Sequence, residues 1–273
     1  MELVVFDLDG TLLGADHRIS DFTADTLKLL TSNNIAYTVA TGRNLHSAQE
    51  IIHGHGFLLP HIYINGVIVW DPGSESLSLG NFLSNAEAEH VIRAAIAEQI
   101  TPFVHCVSKD HQHFIFHPPV LHEFEQRLLD MFYSRLAANV LPLAQLPAEA
   151  QITNISMLGT SQTVGAIEIN ISDEKHLVFY SGMAMENKDL KWLDIHHSQA
   201  SKGNALVQLS NNLSISRVLC FGDSDNDLSM FAMADEAYAP ANAKEAVKAA
   251  STHVIGHHNE DGIARFLRER FNL

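Results

Sequence analysis

The stretch Leu3-Val4-Val5-Phe6-Asp7-Leu8-Asp9-Gly10-Thr11 constrains this chain most. Four consecutive apolar residues, two of them β-branched, predict a short strand buried on both faces, and such strands belong in the middle of a parallel sheet. The strand runs directly into two carboxylates, a glycine and a threonine. In open α/β sheets ligands bind outside the carboxyl ends of the strands, which is where Asp7 and Asp9 fall. Their i, i+2 spacing keeps both side chains on one side of an extended backbone, and Gly10 permits a sharp turn. Two acids forced together repel unless something compensates them, most simply a hard cation with oxygen ligands such as Mg²⁺. A carboxylate beside Mg²⁺ can attack phosphorus while its neighbour moves protons. The same residues alone also suit a solvated Asp-Gly turn after an edge strand, so the rest of the chain decides.

The chain has 273 residues, enough for one large domain or two modest ones. Its net charge of −15, from 17 basic and 32 acidic residues, argues against a nucleic-acid or anionic-membrane surface, where phosphate contacts need clustered Lys and Arg. Binding of a small anion through a metal and a few local donors remains compatible. Cys106 and Cys220 give no disulfide framework. The start MELVVFD carries no basic region followed by a long apolar stretch, so no signal peptide is expected, and no run reaches the length of a membrane span. A reducing cytoplasmic compartment follows as the expectation. Of 17 histidines, several cluster between Cys106 and His122 or beside it (His105, His111, His113, His117, His122) without the spacing of a zinc motif, and read as surface or packing residues.

After the first strand, Ser20 and Asp21 are candidate N-caps for a helix carrying Phe22, Leu27, Leu29 and Leu30, ended by Asn33-Asn34. Ile35–Ala40 is the second strand and delivers Thr41-Gly42-Arg43. A helix from Leu45 to about His53 and a strand at Ile62–Ile64 continue the alternation, which predicts a parallel sheet. Asn65-Gly66 marks a tight turn into Val67–Trp70. Near Gly80 the texture changes. Ser84 and Glu87 form a capping box, with Leu83 and Ala88 placed as a hydrophobic staple, opening a helix to about Gln99. Phe103–Val107 and His113–Phe116 read as a hairpin, Val120–Ala138 as a helix, and Ile152–Leu158 and Leu177–Tyr180 as strands around a helix over Thr163–Ile169. This α+β middle, 81–187, reads as an insertion between 1–80 and 188–273. The α/β pattern then resumes, with Leu193–Ile195 leading to Ser201-Lys202-Gly203-Asn204 and a helix. Val218–Phe221 is a buried strand ending in Gly222-Asp223-Ser224-Asp225-Asn226-Asp227. Short strands at Ala237–Ala239 and His253–Ile255 and a last helix opened by Asp261-Gly262-Ile263 complete the chain.

The second acidic loop begins like an EF-hand, but Leu228 stands where that loop needs glycine and Ala234 where it needs glutamate. Two acidic loops at two strand ends point instead to one metal site shared across neighbouring strands. A phosphoryl site also needs donors for the equatorial oxygens. Thr41, the backbone N–H of Gly42 and Lys202 at the head of a helix can supply them. Each has an ordinary structural explanation by itself; their joint occurrence at four strand or helix ends favours the site.

Phe6-Asp7-Leu8-Asp9-Gly10-Thr11, Thr41-Gly42-Arg43, Ser201-Lys202-Gly203 and Gly222-Asp223-x-x-Asn226-Asp227 resemble, in order, the four motifs of the haloacid dehalogenase-like phosphatases. Asn65-Gly66, Asn242-Ala243 and Glu260-Asp261-Gly262 resemble its Cof-type (IIB) subfamily. That subfamily carries its cap between the second and third motifs, which fits the insertion. Pro240-Ala241 stands before Asn242 where the family more often has Met-Gly, and Val67 follows Gly66 where it has Ala. The resemblance implies a Rossmann-like core with an inserted α+β cap that closes on the leaving group. It implies Asp7 as nucleophile forming an aspartyl-phosphate, and Asp9 as the acid that protonates the leaving alcohol and then activates water. Mg²⁺ would be held by Asp7, the backbone carbonyl of Asp9 and Asp223, with Asp227 supporting these ligands from behind. Phosphate would be held by Thr41, Gly42, Lys202, Asn226 and the backbone N–H of Leu8.

The leading expectation is therefore a Mg²⁺-dependent phosphatase of small phosphomonoesters, sugar phosphates or phosphorylated cofactors, acting as a monomer or weak homo-oligomer. A phosphomutase or other phosphotransferase can use the same intermediate. A non-catalytic phospho-accepting switch is the alternative from another class, and Asp9 and the large insertion argue against it.

Overall fold

A computed structural model describes residues 2–108, 112–135, 139–184 and 187–273. It separates into two units, Met1–Leu79 with Ser201–Leu273, and Gly80–Ala200.

The first unit is built on a parallel sheet with strand order His253–Ile255, Glu236–Pro240, Arg217–Phe221, Glu2–Phe6, Ala36–Val39. Glu2–Phe6 lies inside that order, its Val4 paired with Leu219 on one side and Tyr37 on the other. Leu3, Val4, Val5 and Phe6 are fully buried, as an apolar run without alternation requires. Helices connect the strands. Asp21–Ser32 starts where the Ser20 hydroxyl accepts the Thr23 N–H at 3.0 Å, and Lys202–Asn212 where the Ser201 hydroxyl accepts the Asn204 N–H at 3.1 Å. These caps fix where the two helices begin, and the second places Lys202 at the head of its helix. The third predicted strand departs from expectation. His61–Tyr63 touches the parallel sheet through an isolated parallel bridge, Ala40 to Ile62, and otherwise pairs antiparallel with Ile68–Asp71, which pairs with Ser76–Leu79. The tight turn at Asn65-Gly66 folds the chain back on itself before it can extend the parallel ladder, with φ of 50° and 101° at the two residues.

The second unit has a sheet ordered Leu177–Met183, Leu190–His197, Ile152–Thr160, Phe103–Val107, His113–His117, Asn139–Pro142. Its neighbours are antiparallel except the last pair. Helices Asn85–Ala97 and Ser161–Ile171 contribute Val91, Ala95, Val164 and Ile167 to a core with Val104, Ile155, Leu193 and Ile195 of the sheet. The capping box is present: the Ser84 N–H reaches the Glu87 carboxylate at 2.7 Å, and the Glu87 N–H reaches the Ser84 hydroxyl at 3.3 Å. Helix Glu123–Arg135 adds Leu129 and Phe132 to a second cluster with Phe103 and Ile115.

The return to the first unit was expected at 188 and occurs at Ser201. Leu190–His197 is an inner strand of the second unit's sheet, paired with Ile152–Thr160 and Leu177–Met183, so its apolar centre belongs to that core. The strands Ser76–Leu79 and Asn139–Pro142, of four residues each, were not anticipated. His111, the hairpin turn and the predicted helix end at Ala138 lie outside the described residues. The other clustered histidines are engaged by protein groups: His105 Nδ1 lies 3.1 Å from His113 Nε2, His117 Nδ1 2.6 Å from the Pro118 carbonyl, and His122 Nε2 3.0 Å from the Gln99 carbonyl.

Glu125 is fully buried and accepts four hydrogen bonds, from the N–H and hydroxyl of Thr101 at 2.7 and 2.6 Å and from the N–H groups of Leu121 and His122 at 2.8 and 3.0 Å. It ties the helix start to the segment that enters the Phe103–Val107 strand. Glu125→Ala strands these donors and is expected to destabilise the second unit by about 3 kcal/mol, with Glu125→Gln losing less. Urea unfolding of the two variants checks this.

Candidate active site

The Glu2–Phe6 and Arg217–Phe221 strands are adjacent and parallel, so Asp7 and Asp223 leave the same sheet edge side by side. Register is locked there by the Asp7 N–H, which donates to the Phe221 carbonyl at 2.9 Å. The chain then turns away through Leu8–Leu12, whose backbone leaves helical geometry at Asp9 and Gly10. Gly10 sits in that turn with φ of +72°, and a β-carbon there would come within 2.5 Å of an Asp223 carboxylate oxygen. Only glycine satisfies both the left-handed backbone and the close approach. Gly10→Ala is expected to cost about 1–3 kcal/mol of stability and to displace Asp223. Denaturant unfolding beside a metal-binding titration measures both effects.

Lys202 is fully buried at the start of its helix. Its Nζ donates to Asp7 Oδ1 and to Asp227 Oδ1, each at 2.6 Å. Asp227 turns its other oxygen to the backbone N–H groups of Asp223 and Ser224, at 2.8 and 2.9 Å. Asp227 therefore shapes the acidic loop and anchors the lysine. The Thr11 hydroxyl lies 3.4 Å from Asp223 Oδ1. One carboxylate oxygen each from Asp7, Asp223 and Asp227 lie within 4.8 Å of one another.

One ammonium does not balance this group. Burial pushes the Asp7 carboxyl well above the usual carboxylate range; the Lys202 charge opposes that, while Asp227 and Asp223 add to it. Burial and the Asp227 charge likewise raise Asp223 to about 6. The Lys202 ammonium, despite its burial, is held charged by Asp227 and Asp7. A cluster of hard oxygen donors with surplus negative charge fits a hard divalent cation.

Asp9 is turned to different partners. Arg43 grips its carboxylate with two parallel bonds, Nε to Oδ2 and a terminal nitrogen to Oδ1, both at 2.6 Å, and His17 Nδ1 lies 3.1 Å from Oδ1. Burial alone would raise the Asp9 carboxyl, but the Arg43 bonds and charge, helped by His17, hold it below its ordinary value. Bidentate pairing of this kind is the strongest form of carboxylate recognition.

Thr41 and Gly42 follow the neighbouring strand. The Thr41 N–H donates to the Ile62 carbonyl at 2.9 Å and its hydroxyl accepts the Arg43 N–H at 3.1 Å. The Asn226 side-chain amide donates to Asn65 Oδ1 at 2.9 Å, and a β-carbon on Gly42 would come within 3.7 Å of the Asn226 amide nitrogen. Thr41, Gly42 and Asn226 thus gather around Asn65 on the Ile64–Gly66 turn. The Asn242 amide donates to the Gly10 carbonyl at 2.7 Å, and the Lys244 N–H to the Asp223 carbonyl at 3.0 Å. Leu8 is fully buried just after Asp7.

All the residues singled out from sequence as site candidates fall in the first unit. The structure adds Arg43, His17, Asn65 and Asn242 to them. Three of these stand in motifs already noted, Thr41-Gly42-Arg43, Asn65-Gly66 and Asn242-Ala243. His17 carried no signal, because its partner Asp9 is reached by the return of a loop.

A family model of haloacid dehalogenase-like hydrolases matches residues 4–267. The chain is a haloacid dehalogenase-like hydrolase. Among curated relatives of this hydrolase, the 5-amino-6-(5-phospho-D-ribitylamino)uracil phosphatase YitU of Bacillus subtilis is 26% identical over 99% of this chain and 98% of its own length. An HMP-PP phosphatase of Serratia proteamaculans is 27% identical over 97% and 94%. The hydrolase fold is shared with a haloacid dehalogenase-like hydrolase from B. subtilis, at a TM-score of 0.79 with 23% identity over 98% of this chain and 99% of the other. A sugar phosphatase of subclass IIB matches at 0.77 with 19% identity over 100% and 99%. The enzyme class and the α/β fold expected from the motifs are thereby established. No helix among the described residues is long and apolar enough to cross a membrane.

Proposed function

We propose that this hydrolase is a Mg²⁺-dependent phosphatase of small phosphomonoesters that works through a covalent phosphate on Asp7. The observation that carries the reading is the buried Lys202 ammonium 2.6 Å from an Asp7 oxygen inside an undercompensated acidic cluster. That arrangement orients one carboxylate and leaves it short of positive charge until a cation and a phosphate dianion arrive together.

Asp7, Asp223 and the backbone carbonyl of Asp9 would hold Mg²⁺, with Asp227 fixing the loop behind them. When bound, the ion neutralises charge on the transferring phosphoryl oxygens. In the first step an Asp7 oxygen attacks phosphorus, a carboxyl O–P bond forms, and the ester P–O bond breaks. Asp9, as the carboxylic acid, gives its proton to the leaving oxygen, so the alcohol departs neutral. In the second step Asp9, now a carboxylate, takes a proton from water, whose oxygen attacks phosphorus. The P–O bond to Asp7 breaks, inorganic phosphate leaves, and the Asp7 carboxylate is restored. Lys202, Thr41, Asn226 and the N–H groups of Leu8 and Gly42 would hold the equatorial oxygens. Because Arg43 and His17 keep Asp9 ionised at rest, the first step requires that substrate draw them away.

The curated relatives act on phosphorylated intermediates of small size, which supports a small phosphorylated metabolite as substrate here. The thiols Cys106 and Cys220 are free and buried, which suits a reducing, cytoplasmic setting. The test is phosphate release from an aryl phosphate and a panel of sugar and nucleotide-precursor phosphates. Release with Mg²⁺ and its loss in chelator are expected. Transfer to a second sugar only in the presence of a bisphosphate activator, with no net hydrolysis, would overturn the phosphatase reading in favour of a mutase.

A further inference from the structure

Outside the acidic cluster, a second group of metal-ligating side chains lies in the Gly80–Ala200 unit: Glu87, His176 and His197 each present one donor atom within 4.8 Å of the others. We propose that these three residues form a site for a borderline divalent transition-metal ion of the Zn²⁺ class, which ties the start of helix Asn85–Ala97 to the end of the Leu177–Met183 and Leu190–His197 strand pair.

Three separate pieces of local structure aim these donors at one place. Glu87 is the third residue of its helix, and its capping box uses one carboxylate oxygen. Oε2 accepts from the Ser84 N–H and hydroxyl at 2.7 and 2.8 Å. Oε1 is left facing His197 Nε2 at 4.0 Å, a separation too long for a hydrogen bond and suited to an atom between them. The cap thus immobilises the glutamate and orients its remaining oxygen, as an outer hydrogen bond does for a metal-ligating carboxylate. His197 pairs with Leu177 across the antiparallel ladder, and the Ser198 N–H closes on the His176 carbonyl at 2.8 Å. This holds the two imidazoles side by side, centroids 5.9 Å apart and planes within 10°. His176 is exposed at the strand entry, whereas the His197 and Glu87 side chains are each 17% exposed. The site therefore has two fixed donors and one that can swing in.

Two imidazole nitrogens and one carboxylate oxygen are a donor set for Zn²⁺, Ni²⁺ or Cu²⁺. Mg²⁺ prefers oxygen ligands and keeps several waters, so the set is chemically distinct from the Asp7, Asp223 and Asp227 cluster. Donor atoms around tetrahedral Zn²⁺ lie roughly 3.3 Å apart, so closing this group asks for a movement of about 1.5 Å at most, within reach of the exposed His176 ring. Binding at His197 Nε2 puts the ring proton on Nδ1, which now accepts the Gln199 N–H at 3.2 Å. That N–H belongs to an exposed residue, so water would take it over once Nδ1 carries the proton. Three protein ligands leave the fourth position to water. No sequence motif announces the site, because its members come from places far apart in the chain and meet only through the sheet.

The experiment uses the untagged full chain, stripped of metal, in an Asp223→Asn background that disables the acidic cluster, and titrates Zn²⁺ against a chromophoric chelator. One Zn²⁺ per chain with a metal-dependent rise in Tm is expected. Adding His176→Ala and His197→Ala should raise the apparent Kd by at least about 100-fold and abolish the Tm rise. Glu87→Gln keeps an N3 side chain that can serve the capping box. It should leave the metal-free Tm unchanged while weakening Zn²⁺ by about tenfold or more. Absence of Zn²⁺ binding in the Asp223→Asn protein, or equal affinity in the double-histidine variant, overturns the proposal. Unchanged affinity in Glu87→Gln overturns the three-residue site. The outcome is independent of whether the enzyme is a phosphatase.

Discussion

Asp7→Asn is expected to reduce kcat for phosphomonoester hydrolysis on the order of 10⁴-fold or more, the scale seen when a covalent nucleophile is removed. The amide is close in shape to the carboxylate, so the Lys202 and Asp227 framework has no reason to collapse. The amide has no anionic oxygen to form a bond to phosphorus, and no second carboxylate can substitute. Asp223 lies against Gly10 and Thr11, Asp227 is committed to Lys202 and two backbone amides, and Asp9 is gripped by Arg43. Stability should move the other way. Burial and two neighbouring acids already disfavour charge at Asp7, so a neutral side chain removes repulsion while Lys202 keeps Asp227. A Tm equal to or above that of the parent, with turnover lost, is the expected pair of results. Single-turnover phosphate release and thermal unfolding measure them. An Asp7→Asn protein retaining activity within tenfold of the parent would remove the nucleophile from the account.

How much of this was legible in the sequence depends on the distance over which each feature is encoded. Leu3–Phe6 reads as a buried strand because burial on both faces erases alternation, and the acids follow it immediately. The Ser84 to Glu87 capping box and the Asn65-Gly66 turn are complete within four residues. The boundary at Ser201 was missed because Leu190–His197 carries the apolar pattern of any strand, and whether it joins one sheet or another is decided by partners at Ile152–Thr160 and Leu177–Met183. The Arg43 clamp on Asp9 shows the same limit at the site. Position 43 was visible in its motif, but the direction of its side chain depends on how the Gly10 turn presents Asp9. Nothing in the helical pattern of Val120–Ala138 marks Glu125 as buried, and its partner Thr101 stands far from it in the chain. Local chemistry was legible; pairings between separated segments were not.

Lys202→Met tests whether the lysine is the keystone of the acidic cluster, and carries the largest expected loss of stability. Removing the ammonium leaves Asp7 and Asp227 facing each other in a site where both side chains are nearly or wholly buried. Breaking a buried pair at one partner costs about 3–5 kcal/mol, because the remaining charge is left without compensation. Here two acids are left, and Asp223 beside them is already raised to about 6 by burial and the Asp227 charge. The variant should unfold at a markedly lower urea concentration and lose turnover. The double variant Lys202→Met, Asp227→Asn separates the two effects. It deletes one orphaned charge and leaves an amide whose oxygen can still accept from a loop N–H, so most of the lost stability should return. Turnover should not return, since no ammonium then orients Asp7 or meets the phosphate. A cycle of the two single variants and the double, followed by urea unfolding, should give a coupling energy of about 2 kcal/mol or more between Lys202 and Asp227. Additive losses would mean that Lys202 and Asp227 are not coupled, and that the acidic cluster draws its compensation from elsewhere.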